Sequence, residues 1–175
     1  MGTPYRVMTV CTGNICRSPI AEVVLRERFD AAGLGREVEV DSTGISSEEH
    51  GNRIDERAAA VLTEHGYRVP DRVARQVTRS DVAAADLVLA MTSEHAAALR
   101  SLARADAGAA GRVLMYRSFD PAAPRVVPGG PEHLLDIDDP WYGDGADFED
   151  CIAQVEAAAD AIVEHVRAAV AAREA

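Results

Sequence analysis

Val10-Cys11-Thr12-Gly13-Asn14-Ile15-Cys16-Arg17-Ser18-Pro19 is the stretch on which the reading of this chain turns. An apolar run, Val7 to Val10, leads into it, and helical spacing of Ile20, Val23, Val24 and Phe29 follows it. That order predicts a buried strand, a tight turn and a helix ending near Gly33. Ser18 has the chemistry of an N-cap, and Pro19 suits a first helical position.

The rest of the chain repeats this alternation. Val38 to Ser42 predicts a second strand, Leu87 to Met91 a third, and Val113 to Met115 a short fourth. Between them, Asp55 caps a helix that stops at Gly66, Ser80 to Ala85 is a short helix, and Ser93 caps another to about Ala105. Thr43 to Ile54 is a loop, and Val69 to Val77 is extended or irregular. Asp120 to Gly145 is a long stretch with Pro121, Pro124, Pro128, Pro131 and Pro140, a length that marks a functional or mobile segment. From Asp147 on, Ile152, Val155, Ala159, Ile162, Val166 and Val170 form one helical stripe that packs on the core. Strands alternating with helices predict an α/β fold, a four-stranded parallel sheet with right-handed crossovers and helices on both faces. Ligands in such folds bind beyond the carboxyl ends of the strands, which is where Cys11 to Arg17 falls.

A chain of 175 residues is expected to form a single domain, residues 1–175, with a sizeable core. A net charge of −11 argues against a nucleic-acid partner, which would call for a basic face. With no apolar stretch of membrane-spanning length and no leader pattern, the expectation is a cytoplasmic protein without a membrane role. Three cysteines, Cys11, Cys16 and Cys151, are too few for a disulfide framework or an all-cysteine zinc site. The five histidines are scattered without ligand spacing and are expected at the surface, so no metal and no cofactor are expected.

The opening stretch suits an oxyanion. A phosphate dianion needs converging donors, and a tight loop turns successive N–H groups inward as a nest. Gly13 tolerates a left-handed conformation without cost, and Asn14 is the next most tolerant residue type. The following helix N-terminus adds free N–H groups and a positive dipole end. Arg17 supplies a planar fork for two oxygens. Helix N-termini and cationic neighbours also favour thiolates, so Cys11 is the expected nucleophile, with Ser18 a donor to it as a leaving group. Buried core thiols and an ordinary Gly-Asn turn are the plainer reading. They leave the strand, the Ser-Pro helix start and the position in the sheet as coincidences.

Such chemistry also needs an acid for the leaving oxygen. Asp136-Ile137-Asp138-Asp139-Pro140-Trp141-Tyr142 offers one, with Pro140 stiffening the backbone and Trp141 and Tyr142 placed to line a pocket mouth. A solvated acidic turn would look the same, and spacing alone does not choose among Asp136, Asp138 and Asp139.

Cys11-Thr-Gly-Asn-Ile-Cys-Arg17-Ser18-Pro19 resembles the signature loop of the low-molecular-weight protein tyrosine phosphatases. Asp139-Pro140-Trp141-Tyr142 is similar to that family's general-acid motif, and Asp41-Ser42, Ala74-Arg75-Gln76 and Ser118-Phe119-Asp120-Pro121 extend the likeness over most of the chain. The resemblance implies the phosphotyrosine protein phosphatase I-like fold and metal-independent hydrolysis of phosphotyrosine and small aryl phosphates. It gives Cys11 a phosphocysteine intermediate and makes Asp139 the acid and then the base. It makes Asn14 the strained loop residue held through Ser18 and Ser42. Thr12, Gly13, Asn14, Ile15, Cys16 and Arg17 become the phosphoryl site, with Trp141 and Tyr142 on its wall. Cys16 becomes a partner able to form a reversible disulfide with Cys11. The expected partner is a phosphotyrosine protein, and the expected state a monomer or weak dimer.

The same family includes arginine phosphatases and arsenate reductases, which are the alternatives. Arginine phosphatases tend to carry Thr where this chain has Ile15, and arsenate reductases need further cysteines, of which only Cys151 remains. Four departures bear on substrate choice. Ser46 to Gly51 replaces a segment where many members carry an aromatic, Arg72 replaces a histidine, Thr92 replaces an Asp, and the segment from Pro121 to Leu135 is longer than usual. A phosphotyrosine-binding pseudoenzyme and a thiol redox sensor are the rival classes. Intact Cys11, Arg17 and Asp139 weigh against the first.

Overall fold

In the computed structural model, which describes residues 2–127 and 129–175, strand β1 (Tyr5–Cys11) runs through the centre of a four-stranded sheet. Its apolar residues alternate: Tyr5, Val7 and Cys11 join one buried cluster, and Met8 and Val10 join another. A central strand buried on both faces needs apolar side chains on each. The other strands are β2 (Val38–Gly44), β3 (Leu87–Ala90) and β4 (Val113–Met115). Their order is β2-β1-β3-β4, all parallel, with Cys11 paired to Gly44 and Val10 to Ala90.

Among the described residues, six α-helices cover the sheet. They are α1 (Arg17–Ala31), α2 (Glu56–Glu64), α3 (Arg79–Ala84), α4 (Ser93–Leu102), α5 (Ala107–Gly111) and α6 (Gly145–Glu174). Residues of α1, α2 and α6 join the first cluster, and those of α3, α4 and α5 join the second. The expected stripe on α6 is buried along its whole length. Every residue of α1 from Arg17 to Leu25 is buried, more than an amphipathic stripe requires, because the helix lies between sheet, α6 and the loop it emerges from.

Several boundaries differ from those expected. Helix α1 starts at Arg17 with Cys16 in the cap position, not at Ser18. The Ser18 hydroxyl is turned onto Cys11 instead, so no side chain closes the helix start. Thr92, not Ser93, caps α4, and Asp144 caps α6 two residues before the expected start. Helix α4 ends at Leu102, and Asp106 caps the unanticipated α5. The long proline-rich stretch holds single turns of 3-10 helix at Glu132–Leu135 and Pro140–Tyr142. Pro128, one of its five prolines, lies outside the described residues.

Candidate active site

Five residues, Thr12 to Cys16, join the end of β1 to the start of α1. Chain this short must curl tightly, and Asn14 does so with φ +60°. Gly13 does not take a positive φ. Its missing Cβ serves another purpose: an atom there would stand 3.0 Å from Glu49 Cγ, so Gly13 lets Glu49 lie over the loop. Gly44 plays a similar part below, where a Cβ would meet the Thr12 carbonyl oxygen at 2.6 Å.

The left-handed residue is fully bonded. Asn14 Nδ2 donates to Ser18 Oγ and Ser42 Oγ, both at 2.9 Å. Its Oδ1 accepts from the Arg75 N–H at 3.1 Å and from Arg72, and its carbonyl accepts from Arg72 Nη1 at 2.9 Å. Glu22, 2% exposed, anchors this cluster, accepting from Ser42 and Arg26 with Arg72 Nε 3.7 Å away. Burial lowers the Arg72 pKa, opposed by Glu22 and Asp41. Glu22 escaped the sequence reading, and Arg75 entered it only within Ala74-Arg75-Gln76, with no role assigned. A carboxylate at i+4 from Ser18 inside an apolar run was the one signal for Glu22.

Cys11 sits at the floor of the loop. Its Sγ is 3.1 Å from Ser18 Oγ and accepts from the Asn14 N–H at 3.3 Å. Among the described residues, the N–H groups of Thr12, Gly13, Ile15 and Cys16 donate to no protein acceptor. Four such donors beside a helix N-terminus make an anion site. Cys16 is buried, and that burial pushes its thiol well up, with Asp55, Cys11 and Asp139 adding to the shift. All three cysteines are free and buried.

Arg17, 4% exposed, reaches over the loop. Nη1 donates to the Ile137 carbonyl at 3.0 Å, and Nη2 donates to Thr12 Oγ1 at 3.3 Å and lies 3.2 Å from Asp139 Oδ2. Of the three candidate acids, Asp136 accepts from the Ser93 N–H at 2.7 Å and is occupied at the start of α4. Asp138 lines a separate acidic cavity with Asp147 and Asp150. Asp139 alone lines the pocket above Cys11, and its Oδ1 accepts from the Trp141 N–H at 3.2 Å.

That pocket holds about 140 Å³ and is walled by Glu48, Glu49, Trp141 and Tyr142. The two aromatic rings meet edge to face, 4.9 Å apart. Such a volume suits a phosphoryl group with one ring rather than a drug-sized ligand. Among the described residues, a larger groove beside Ile45 and Val77 is lined by no cysteine, histidine or carboxylate.

One histidine corrects the surface expectation. His95 is 6% exposed, and its Nε2 lies 2.8 Å from Thr12 Oγ1. Burial first and Arg17 second hold its pKa down to about 4. Its helical spacing with Ala96 and Leu99, both buried, was the available signal.

Comparison with known proteins points to one family. The sequence profile of the family described as low molecular weight phosphotyrosine protein phosphatase matches residues 6–172. The low molecular weight protein-tyrosine-phosphatase of Streptomyces coelicolor is 47% identical, covering 93% of this chain and 94% of its own. The low molecular weight protein-tyrosine phosphatase A of Mycobacterium tuberculosis is 42% identical over 90% of this chain and 89% of its own. A solved protein tyrosine phosphatase from Entamoeba histolytica superposes with a TM-score of 0.82 at 27% identity, covering 94% and 98% of the two chains.

Proposed function

The chain belongs to the low molecular weight phosphotyrosine protein phosphatase family, and we propose that it hydrolyses phosphotyrosine and small aryl phosphates through a phosphocysteine on Cys11. The observation that carries the reading is the thiol's setting. Cys11 Sγ lies 3.1 Å from the Ser18 hydroxyl, beneath a pocket that Arg17 and Asp139 share.

The chemistry runs in two steps. Loop N–H groups and the Arg17 fork hold the phosphoryl oxygens, and the Cys11 sulfur attacks phosphorus in line with the ester oxygen. The S–P bond forms as the P–O bond to the phenol breaks, and Asp139 protonates the departing oxygen. The resulting Asp139 carboxylate then takes a proton from water, which attacks phosphorus and releases phosphate and the Cys11 thiolate. Ser18 donates to that thiolate. A phosphoryl dianion on Arg17 competes for the Nη2 that faces Asp139, so substrate binding frees the acid for its task.

Asn14 and Ser42 keep the loop in shape, and Thr12, Gly13, Ile15 and Cys16 complete the phosphoryl cradle. Trp141 and Tyr142, 46% and 83% exposed, offer a substrate ring its apolar contact. The half-buried Ile15 on the pocket lining supports an aryl group over the slender chain of phosphoarginine. Burial raises the Cys151 thiol to about 12, which weighs against its relaying a disulfide in arsenate reduction. Cys16 remains the proposed redox partner of Cys11. The same reading takes residues 1–175 as one domain acting in the cytoplasm as a monomer or weak dimer. Three buried free thiols support a reducing compartment, and no helix of the described residues is long and apolar enough to cross a membrane.

The test is turnover of p-nitrophenyl phosphate in the presence of a chelator, with phosphotyrosine, phosphoarginine and phosphoserine peptides side by side. Phosphotyrosine is expected to lead, and Cys11→Ser to abolish turnover. Near-normal activity in that variant would end the reading.

A further inference from the structure

We infer that His95 is a positioning residue that acts through Thr12, aiming both Arg17 and the Thr12 hydroxyl at the phosphoryl group. The inference rests on reading Arg17 as the phosphoryl clamp.

Thr12 directly follows the nucleophile and lines the pocket. Its Oγ1 sits between two side-chain nitrogens from different parts of the chain, His95 Nε2 at 2.8 Å and Arg17 Nη2 at 3.3 Å. His95 does not line the pocket, so it reaches substrate only through Thr12. Its backbone is fixed as well, because the His95 N–H donates to the Thr92 cap oxygen at 3.3 Å in the first turn of α4.

The proton positions follow from what surrounds the ring. Among the described residues, His95 Nδ1 is buried without a hydrogen-bond partner. If the ring proton were on Nδ1, a buried N–H would be orphaned, the rarer and costlier defect. With the proton on Nε2, the orphan is a lone pair. His95 then donates to Thr12 Oγ1, as Arg17 does. Both accepting positions of that oxygen are filled, and its own hydrogen is left to point into the pocket. Thr12 thereby becomes one more donor to a phosphoryl oxygen. A protonated ring would orphan an N–H and set a second cation beside Arg17. Burial and Arg17 keep it neutral, with a pKa of about 4.

A double-mutant cycle tests this. His95→Ala and Thr12→Val are each expected to lower kcat/KM for p-nitrophenyl phosphate about tenfold to a hundredfold, and to weaken competition by inorganic phosphate in parallel. His95→Gln restores a neutral donor near the Nε2 position and should recover most of that loss. In the Thr12→Val background, His95→Ala should cost no more than about twofold further. Losses that add in full, a Gln variant no better than Ala, or a lower melting temperature with unchanged kcat/KM would each overturn the inference. Thr12 is exposed, so its arm of the cycle does not depend on a buried substitution. An inactive wild type or an active Cys11→Ser would instead sink the phosphatase reading, a result distinct from a cycle that shows no coupling.

Discussion

Asn14 is the one non-glycine residue among those described with a positive φ, and every polar group of its side chain is used. Asn14→Ala keeps the left-handed backbone and leaves Ser18, Ser42 and Arg72 short of partners. Strain and lost bonds together cost about 2–4 kcal/mol. Asn14→Gly removes the strain but not the lost bonds, so its unfolding midpoint should lie between those of wild type and Asn14→Ala. Equal midpoints for the two variants would show that φ carries no cost. His95 makes a prediction of opposite visibility. Its folded pKa of about 4 lies below the ordinary 6.5, so the unfolded chain binds the proton first. The stability it contributes is complete above about pH 6.5 and is lost as pH falls toward 4, at up to about 1.4 kcal/mol per unit. Urea titrations from pH 7 to 4 should therefore show a shallower decline for His95→Gln than for wild type. Parallel curves would contradict it. The two residues also mark what sequence could tell. Cys11, Asn14, Arg17 and Ser18 sit within eight positions of one another, where turn chemistry is local. The Thr12–His95 contact spans 83 positions, and only the folded sheet brings its ends together.

Helix α1 and the acid-bearing segment show the same division between local and distant signals. The sequence placed the helix well by its apolar spacing but assigned Ser18 to the cap, because capping statistics describe helices whose first N–H groups seek side-chain acceptors. In α1 those groups stay open, and the serine is drawn into the Asn14 cluster. Glu22 holds that cluster from the next turn. Glu22→Ala would leave the part-buried Arg72 and the buried Ser42 hydroxyl without its carboxylate, a loss of about 1–3 kcal/mol, and Glu22→Gln should lose less by keeping an acceptor for Ser42. Thermal melts of the two variants check the order. The acid segment read as a long, mobile or functional stretch. Next to the acid it is held in place: the Ile137 N–H donates to the Met91 carbonyl at 2.9 Å, the Ile137 carbonyl accepts from Arg17, and Asp136 accepts from the Ser93 N–H. These anchors come from the end of β3 and from α4, which local spacing does not report. Asp139→Ala is therefore expected to spare these anchors while removing the proton donor, together with the acceptor for the Trp141 N–H and the partner of Arg17 Nη2. Its kcat/KM, which reports the step that expels the phenol, should fall tenfold or more for phenyl phosphate and much less for p-nitrophenyl phosphate, whose leaving group needs little protonation. Equal losses for the two esters would count against Asp139 as the acid.

Across the whole molecule, the sheet order explains why the site sits where it does. Successive connections leave β1 toward β2 on one side and return past it to β3, so the carboxyl end of β1 opens at the point where the winding reverses. The alternation of strands and helices was legible because parallel strands are apolar on both faces. The order β2-β1-β3-β4 was not, since spacing along a chain does not say which strand lies in the middle. Charge is the other property of the whole. The chain carries −11, and the pocket rim repeats that sign with Glu48 and Glu49, while the cavity behind Asp139 adds Asp138, Asp147 and Asp150. On the proposed reading, the Arg17 guanidinium and the electropositive loop N–H groups are taken up by the phosphoryl group itself. Residues flanking a phosphotyrosine thus meet carboxylates, and peptides with Lys or Arg beside it should be turned over faster than peptides with Asp or Glu. Exposed pairs are worth about 0.2–1 kcal/mol each, so two rim carboxylates give a preference of about twofold to thirtyfold in kcat/KM. The preference should shrink as salt rises from 20 to 500 mM, because the Debye length falls below the distance across the rim. Replacing both carboxylates, Glu48→Gln with Glu49→Gln, should bring the two peptide classes together while p-nitrophenyl phosphate turnover changes little, since that ester has no flanks to read. A preference that survives the double replacement and high salt would place the selection elsewhere, on Trp141 and Tyr142.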